Sequence, residues 1–386
     1  MIEVLNTSFS KTRIEAVEDR VADAADSGET AQISALIAPL RKRLRHQRDC
    51  AVSLLWMIEC GRIPLGQAVE LVAEIFGAYR HDVDVVARIG RSLEGARDID
   101  QLNLAAPQEP VFGQIVSALE ALSQTALGHG DKVAVLDGLS TAARMTARQH
   151  DELAGVAYRQ LLQLEPDNDA RHYGYGLFLK TRGRFAEGMA ANARARSLCE
   201  ATVESYEWNY GICATGAGEG EAALDVWTRM GQKIAMGRFG LPEGRYPQCK
   251  VRLAQRPLAE RDRYADDPGL EETIWIERLS PCHGIVRSVL FQDLGVDYGD
   301  VVLFDGAPVT YHRYGDTEVP VFPHLATLRY CGYRFFDFAA TQQRAGQISD
   351  ASAGLPADAV VYSHTERVAI LCQSCWRDAD IDHEHD

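Results

Sequence analysis

One stretch of this chain matches itself at a fixed offset. Tyr175-Gly176 recurs as Tyr210-Gly211, Gly183 recurs as Gly218, and the small residue Gly188 recurs as Ala223. Positions 176 and 211, 183 and 218, and 188 and 223 each differ by 35. A self-match at that period constrains the fold more than any single motif, because each copy must be one supersecondary unit that buries its apolar face against the next. The residue types say what the unit is. Small residues at 176, 188, 211 and 223 allow two antiparallel helices to approach closely. Gly183 and Gly218 fall where the chain has to turn between them, and glycine reaches the left-handed conformation without steric cost. Pro166 closes the preceding helical pattern, Tyr158–Leu164, since proline cannot continue a helix.

These positions resemble the tetratricopeptide repeat (TPR), a unit of about 34 residues with a hydrophobic-glycine pair in its first helix and small residues in its second. The match is clearest over 158–231. The position of the usual tryptophan is taken by His172 or Glu207, and the second copy carries one extra residue. The resemblance implies a helical repeat array, a TPR-like right-handed superhelix. Its first helices would line a groove for an extended or helical peptide. By register, Tyr173, Leu177 and Lys180 line that groove in one unit, and Trp208, Asn209 and Ile212 in the next. Tyr173 and Trp208 serve equally well as core between units. Gly174 replaces the equivalent of Asn209, so the lysine and asparagine set that grips a C-terminal carboxylate is incomplete.

Helical periodicity extends upstream. Ile33–Leu93 reads as helices broken at Gly61-Arg62-Ile63-Pro64, with Ile89-Gly90 in the hydrophobic-glycine position of a degenerate unit. The Pro-bearing segment 98–110 reads as a connection, and Gly128-His129-Gly130 as a break between helices. Leu136-Asp137-Gly138-Leu139 is too short for a phosphate loop and reads as a helix interruption. Residues 1–30 are polar and alanine-rich, a loose or frayed helix. The repeat region is therefore 31–235.

Beyond Gly231 the pattern changes. Glycine and proline punctuate 236–269, a linker or cap with one short helical candidate at Cys249–Ala254. From 270 to 376 the runs are β-rich: Ile274–Ile276, Ile285–Phe291, Val301–Phe304, Val309–Tyr311, Tyr333–Phe338, Ala359–Ser363 and Val368–Leu371 read as strands. Asp305-Gly306 is a hairpin signal, and Phe322–Tyr330 a short helix. This gives a small, strand-rich α+β domain followed by an acidic tail at 377–386.

Composition restricts the function classes. With 46% apolar and 25% charged residues the chain is of ordinary globular type, and its net charge of −15 disfavours nucleic-acid or anionic-membrane binding. The exception is the basic run Arg41-Lys42-Arg43-Leu44-Arg45-His46-Gln47-Arg48, read mainly as a solvated helix face. No leader-like or bilayer-length apolar run is present, and nine scattered cysteines suit a reducing compartment, so a cytoplasmic location is expected. The strongest metal-ligand spacing is Cys372-Gln373-Ser374-Cys375, with His383 and His385 in the tail: two thiolates and two imidazoles fill a zinc tetrahedron. Cys282-His283 is an alternative source of ligands. Adjacent in sequence, those two point apart and make no nucleophile–base pair. His312, His324 and His364 fit structural roles, and Asp293, Asp297, Asp300 and Asp305 fit turns. The expectation is an adaptor that binds a protein or peptide in the repeat groove. The alternative is an enzyme or zinc-dependent C-terminal module whose substrate the repeats recruit.

Overall fold

The computed structural model describes residues 10–95, 110–146, 148–261, 267–314, 317–334, 336 and 355. The chain divides into two compact units, one running to Arg171, the other formed by His172–Arg261 and the chain from Asp267 onward. The expected boundary at 235 is not where they divide; the units part inside the helical region.

The first unit is helical: α1 Lys11–Asp26, α2 Thr30–Arg41, α3 Arg48–Glu59, α4 Leu65–Tyr79, α5 Val83–Ser92, α6 Pro110–Ser123, α7 His129–Thr146 and α8 Asp151–Leu164. Its boundaries follow local chemistry. Asp82 caps α5 by accepting from the Val85 amide. Gly61, with φ +67, ends α3 while the Arg62 amide bonds back to Met57. One continuous core joins these helices, from Ile33, Ile37 and Leu40 of α2 to Phe112 of α6 and Leu139 of α7. Two expectations change here. The N-terminal helix is packed rather than loose, with Ile14, Val21 and Ala24 of α1 buried. Gly138 lies inside an unbroken α7, where an added Cβ would sit 2.5 Å from the Ala87 carbonyl oxygen of α5. It is a helix-crossing point, and Gly90 of α5 faces it in turn.

In the second unit, α9 Asp169–Thr181, α10 Phe185–Leu198, α11 Glu204–Gly216 and α12 Gly220–Arg229 lead into a two-stranded ribbon, β1 Ile234–Met236 and β2 Pro242–Gly244. Six strands follow: β3 Cys249–Ala254, β4 Glu271–Arg278, β5 His283–Val286, β6 Val301–Phe304, β7 Thr310–Tyr314 and β8 Thr317–Arg329. They run in the order β3-β4-β5-β6-β8-β7, and β3 also pairs in parallel with β8. That pairing closes β3-β4-β5-β6-β8 into a small barrel with β7 outboard on β8. Val251, Leu253, Ile276, Val286, Val302 and Phe304 fill its core.

The two helical candidates in this region are strands. Cys249, Val251 and Leu253 point inward at a spacing of two, which is strand periodicity. Across Phe322–Arg329 the chain is instead the second half of β8, and Val321–Ala326 is buried throughout, so the alternation that marks a half-exposed strand is missing. The expected linker at 236–269 therefore supplies a barrel strand. Tyr333–Phe338 falls partly, and Ala359–Ser363 and Val368–Leu371 entirely, outside the described residues.

Candidate functional site

The repeat geometry rests on contacts too close for any side chain. A Cβ on Gly176 would meet the Asn192 amide nitrogen of α10 at 2.5 Å, and one on Gly188 would meet Cys213 Sγ of α11 at 2.9 Å. On Gly211 it would lie inside the indole of Trp227. Between the helices of each pair, Gly183 and Gly218 take φ of +70 and +76. The 35-residue offset thus has a physical basis in three helix contacts and two left-handed turns.

The six groove candidates share one face of α9 and α11. Tyr173 is half-buried and stacks on Tyr206 with ring centroids 4.6 Å apart. Its hydroxyl accepts from Asn209 Nδ2 at 3.1 Å, and the same amide donates to the Ser205 carbonyl. Leu177 is half-buried, Ile212 is buried, and Trp208 stands edge-on to Trp227 at 5.2 Å. Lys180 is buried and its Nζ lies 2.7 Å from Asp305 Oδ2, the two side chains being 4% and 7% exposed. Gly306 lies against Trp208 and Ile212; a Cβ there would be 2.9 Å from the Trp208 ring and 3.6 Å from Ile212 Cδ1. At the end of α11, Cys282 Sγ donates to Thr215 Oγ1 at 3.4 Å. The face that the repeat register points to therefore holds the Asp305-Gly306 turn of the chain's own barrel.

That turn is not the expected hairpin. β6 and β7 each pair with β8 and not with one another, and Gly306 is not among the glycines with positive φ. Asp305 is fixed instead by its amide bonding Pro323 O, while its Oδ1 accepts from the Ala307 amide. One carboxylate oxygen shapes the turn and the other meets Lys180.

No protein-family model matches the sequence, and no curated protein matches it. Among solved structures the chain is similar to "MamA AMB-1" (17% identity, TM-score 0.31, covering 57% of this chain and 92% of that one). It is also similar to PilW, titled a widely conserved type IV pilus biogenesis factor (10%, TM-score 0.39, 57% and 93%). A third is Pseudomonas aeruginosa PilF (14%, TM-score 0.34, 56% and 90%). The helix pairs α9–α10 and α11–α12, with their 35-residue register, close glycine contacts and left-handed turns, are TPR-like in arrangement. A strand-rich, barrel-like region follows them.

The other sequence candidates are dispersed. Within the basic run, Arg41 pairs with Glu70 and Glu74, and Arg48 with Asp82 and Asp84, so its two end charges are neutralised within the chain and raised in pKa chiefly by hydrogen bonds to Glu74 and Asp82. Cys372, Cys375, His383 and His385 lie outside the described residues, as does His364. Among the described residues no group of three or more metal-ligating side chains converges, and no helix is long and apolar enough to cross a membrane.

Cys282 and His283 are both buried and turn to different uses. Ser280 Oγ accepts from both of their amides and meets His283 Nδ1 at 2.5 Å. With its lone pairs taken by those amides, the hydroxyl donates to Nδ1, which puts the ring proton on Nε2, where no hydrogen-bond partner is present among the described residues. Burial pushes the imidazole down to about 4 and the Cys282 thiol up to about 11. A neutral thiol and a neutral, enclosed imidazole are structural groups. His324 is likewise buried and held down to about 4 by desolvation. The aspartates occupy turns: Asp293 accepts from the Gly295 amide, and Asp300 from the amides of Asp297 and Cys331.

A cavity of about 400 Å3 between α10, α11 and the end of α12 has no sequence signal. Its wall holds buried Glu207 between Arg196 at 2.7 Å and Arg229 at 3.3 Å, a bridge from three different helices. Only helix packing assembles it.

Proposed function

We propose that this protein is a cytoplasmic interaction scaffold whose TPR-like helix pairs bind a protein or peptide partner through the face of α9 and α11. The observation that carries this reading is that the face holds a chain segment, with a lysine on its carboxylate and a tryptophan on its glycine. Half-buried Tyr173, Leu177 and Trp208 supply rigid contact area, which is the residue chemistry of interaction hot spots. Free thiols at Cys50, Cys60, Cys213, Cys249, Cys282 and Cys331 suit a reducing compartment. No arrangement among the described residues argues for the enzyme alternative.

The test is capture of partners on the full chain, followed by titration of the purified partner against wild type and a Tyr173→Ala, Leu177→Ala chain. Weakening of about tenfold or more, with the helical circular dichroism unchanged, supports the reading. A saturable partner that binds both chains equally would move the interaction off this face.

A further inference from the structure

We propose that the α9/α11 face is a receptor for an acidic side chain followed by glycine, and that the Asp305-Gly306 turn occupies it as an internal ligand that a partner segment of the same chemistry displaces. The proposal rests on the interaction-scaffold reading, but its test does not.

Selectivity comes from two contacts with the face and one bond within the turn. Lys180 is the single lysine of α9–α12, and it is buried opposite Asp305 rather than extended into solvent. A burial this deep leaves an ammonium no water to exchange with, so the face requires an anion at that point. The next position has to be glycine, because any Cβ at 306 meets the Trp208 ring. The Asp305 carboxylate arrives preshaped, one oxygen tied to the Ala307 amide and the other presented to Lys180. Acid, then glycine, then a turn is a pattern a short peptide can reproduce.

Release is physically reasonable because, apart from Gly306 on Trp208 and Ile212, the named contacts are polar. The Lys180–Asp305 pair and the Cys282–Thr215 hydrogen bond both exchange for water on separation. A buried ion pair is close to neutral against two solvated charges, whereas removing one partner alone is costly.

The experiment uses the full chain and two capped peptides spanning residues 304–309, one natural and one with Asp305→Asn. In the wild-type chain, the Ala307 amide should exchange with solvent through an opening smaller than global unfolding, faster than the barrel amides of Val302, Leu303 and Asp305. An Asp305→Asn chain should open about tenfold more often and bind the natural peptide about tenfold more tightly than wild type does, with no binding of the Asn peptide. An Ala307 amide that exchanges only with global unfolding overturns the proposal, and this measurement on wild type decides even if the variant does not fold. Equal peptide binding to both chains, or none to a variant whose exchange shows the face open, overturns it as well. Failure to capture any cellular partner would count against the scaffold reading and leave these outcomes unchanged.

Discussion

Lys180 on a repeat helix and Asp305 at the end of a barrel strand meet at 2.7 Å with both side chains nearly excluded from water. The pair joins the TPR-like helices to the barrel inside one compact unit. Removing one member leaves the other charged, buried and alone. Lys180→Met should therefore cost about 3–5 kcal/mol, and Lys180→Met with Asp305→Leu should recover most of that loss. Urea midpoints of the two single variants and the double variant test the coupling. Additive effects would mean that the pair does not act as a unit.

Gly211 and Gly77 both lie within helices, yet they should respond in opposite directions to alanine. Gly211 faces the Trp227 ring with no room for a methyl group, so Gly211→Ala should destabilise by about 1–3 kcal/mol through overpacking. Gly77 of α4 has nothing within 4 Å of an added Cβ, so Gly77→Ala should stabilise by about 0.5–1 kcal/mol through helix propensity. Thermal midpoints of the two variants should move apart. If both moved in the same direction, the close helix contact at 211 would be refuted.

Stability should fall on mild acidification. His283 and His324 are held to about 4 by burial, against an ordinary value of 6.5, so the folded chain binds fewer protons than the unfolded chain between those limits. Both groups thus contribute full stability above about pH 6.5 and lose it as pH falls toward 4, by on the order of 3 kcal/mol each. Denaturation midpoints from pH 7.5 to 5 should decrease, and His324→Gln should flatten the slope. A midpoint independent of pH over that window would contradict neutral burial of these rings.

Thiol reactivity should separate into two classes. Cys60 and Cys331 are exposed, whereas Cys213, Cys249 and Cys282 are buried and pushed up to about 12, 11 and 11, chiefly by desolvation. Brief alkylation at neutral pH followed by peptide mapping should modify Cys60 and Cys331 and spare the three buried thiols until denaturant is added. Early modification of Cys282 would show that the seam between α11 and the barrel opens readily.

The repeat was legible because its signal is local and steric. Gly176, Gly183, Gly211 and Gly218 are each required by a neighbour or a turn within the same two helices, so residue type alone carries the information. The basic run at 41–48 misleads for the opposite reason: its acidic partners at 70, 74, 82 and 84 come from α4 and the start of α5, and no window around the run contains them. The strand at 249–254 does alternate, Cys249, Val251 and Leu253 against Lys250 and Arg252, but is short, whereas in 317–329 the burial of 321–326 on both faces removes the period-two alternation and leaves a run that reads equally as helix.

By itself the sequence determined the helix-pair unit, its 35-residue register and the face of α9 and α11 that carries Tyr173, Lys180 and Trp208. Periodicity and the glycine positions are properties of neighbouring residues, and a helix converts them directly into a face. Only the tertiary structure decided what lies on that face. The Asp305-Gly306 signal is locally a hairpin turn, but closure of the barrel through β3 and β8 places β8 between β6 and β7 and hands the turn to Lys180 and Trp208. Long-range strand pairing, which local residue preferences do not encode, made that choice.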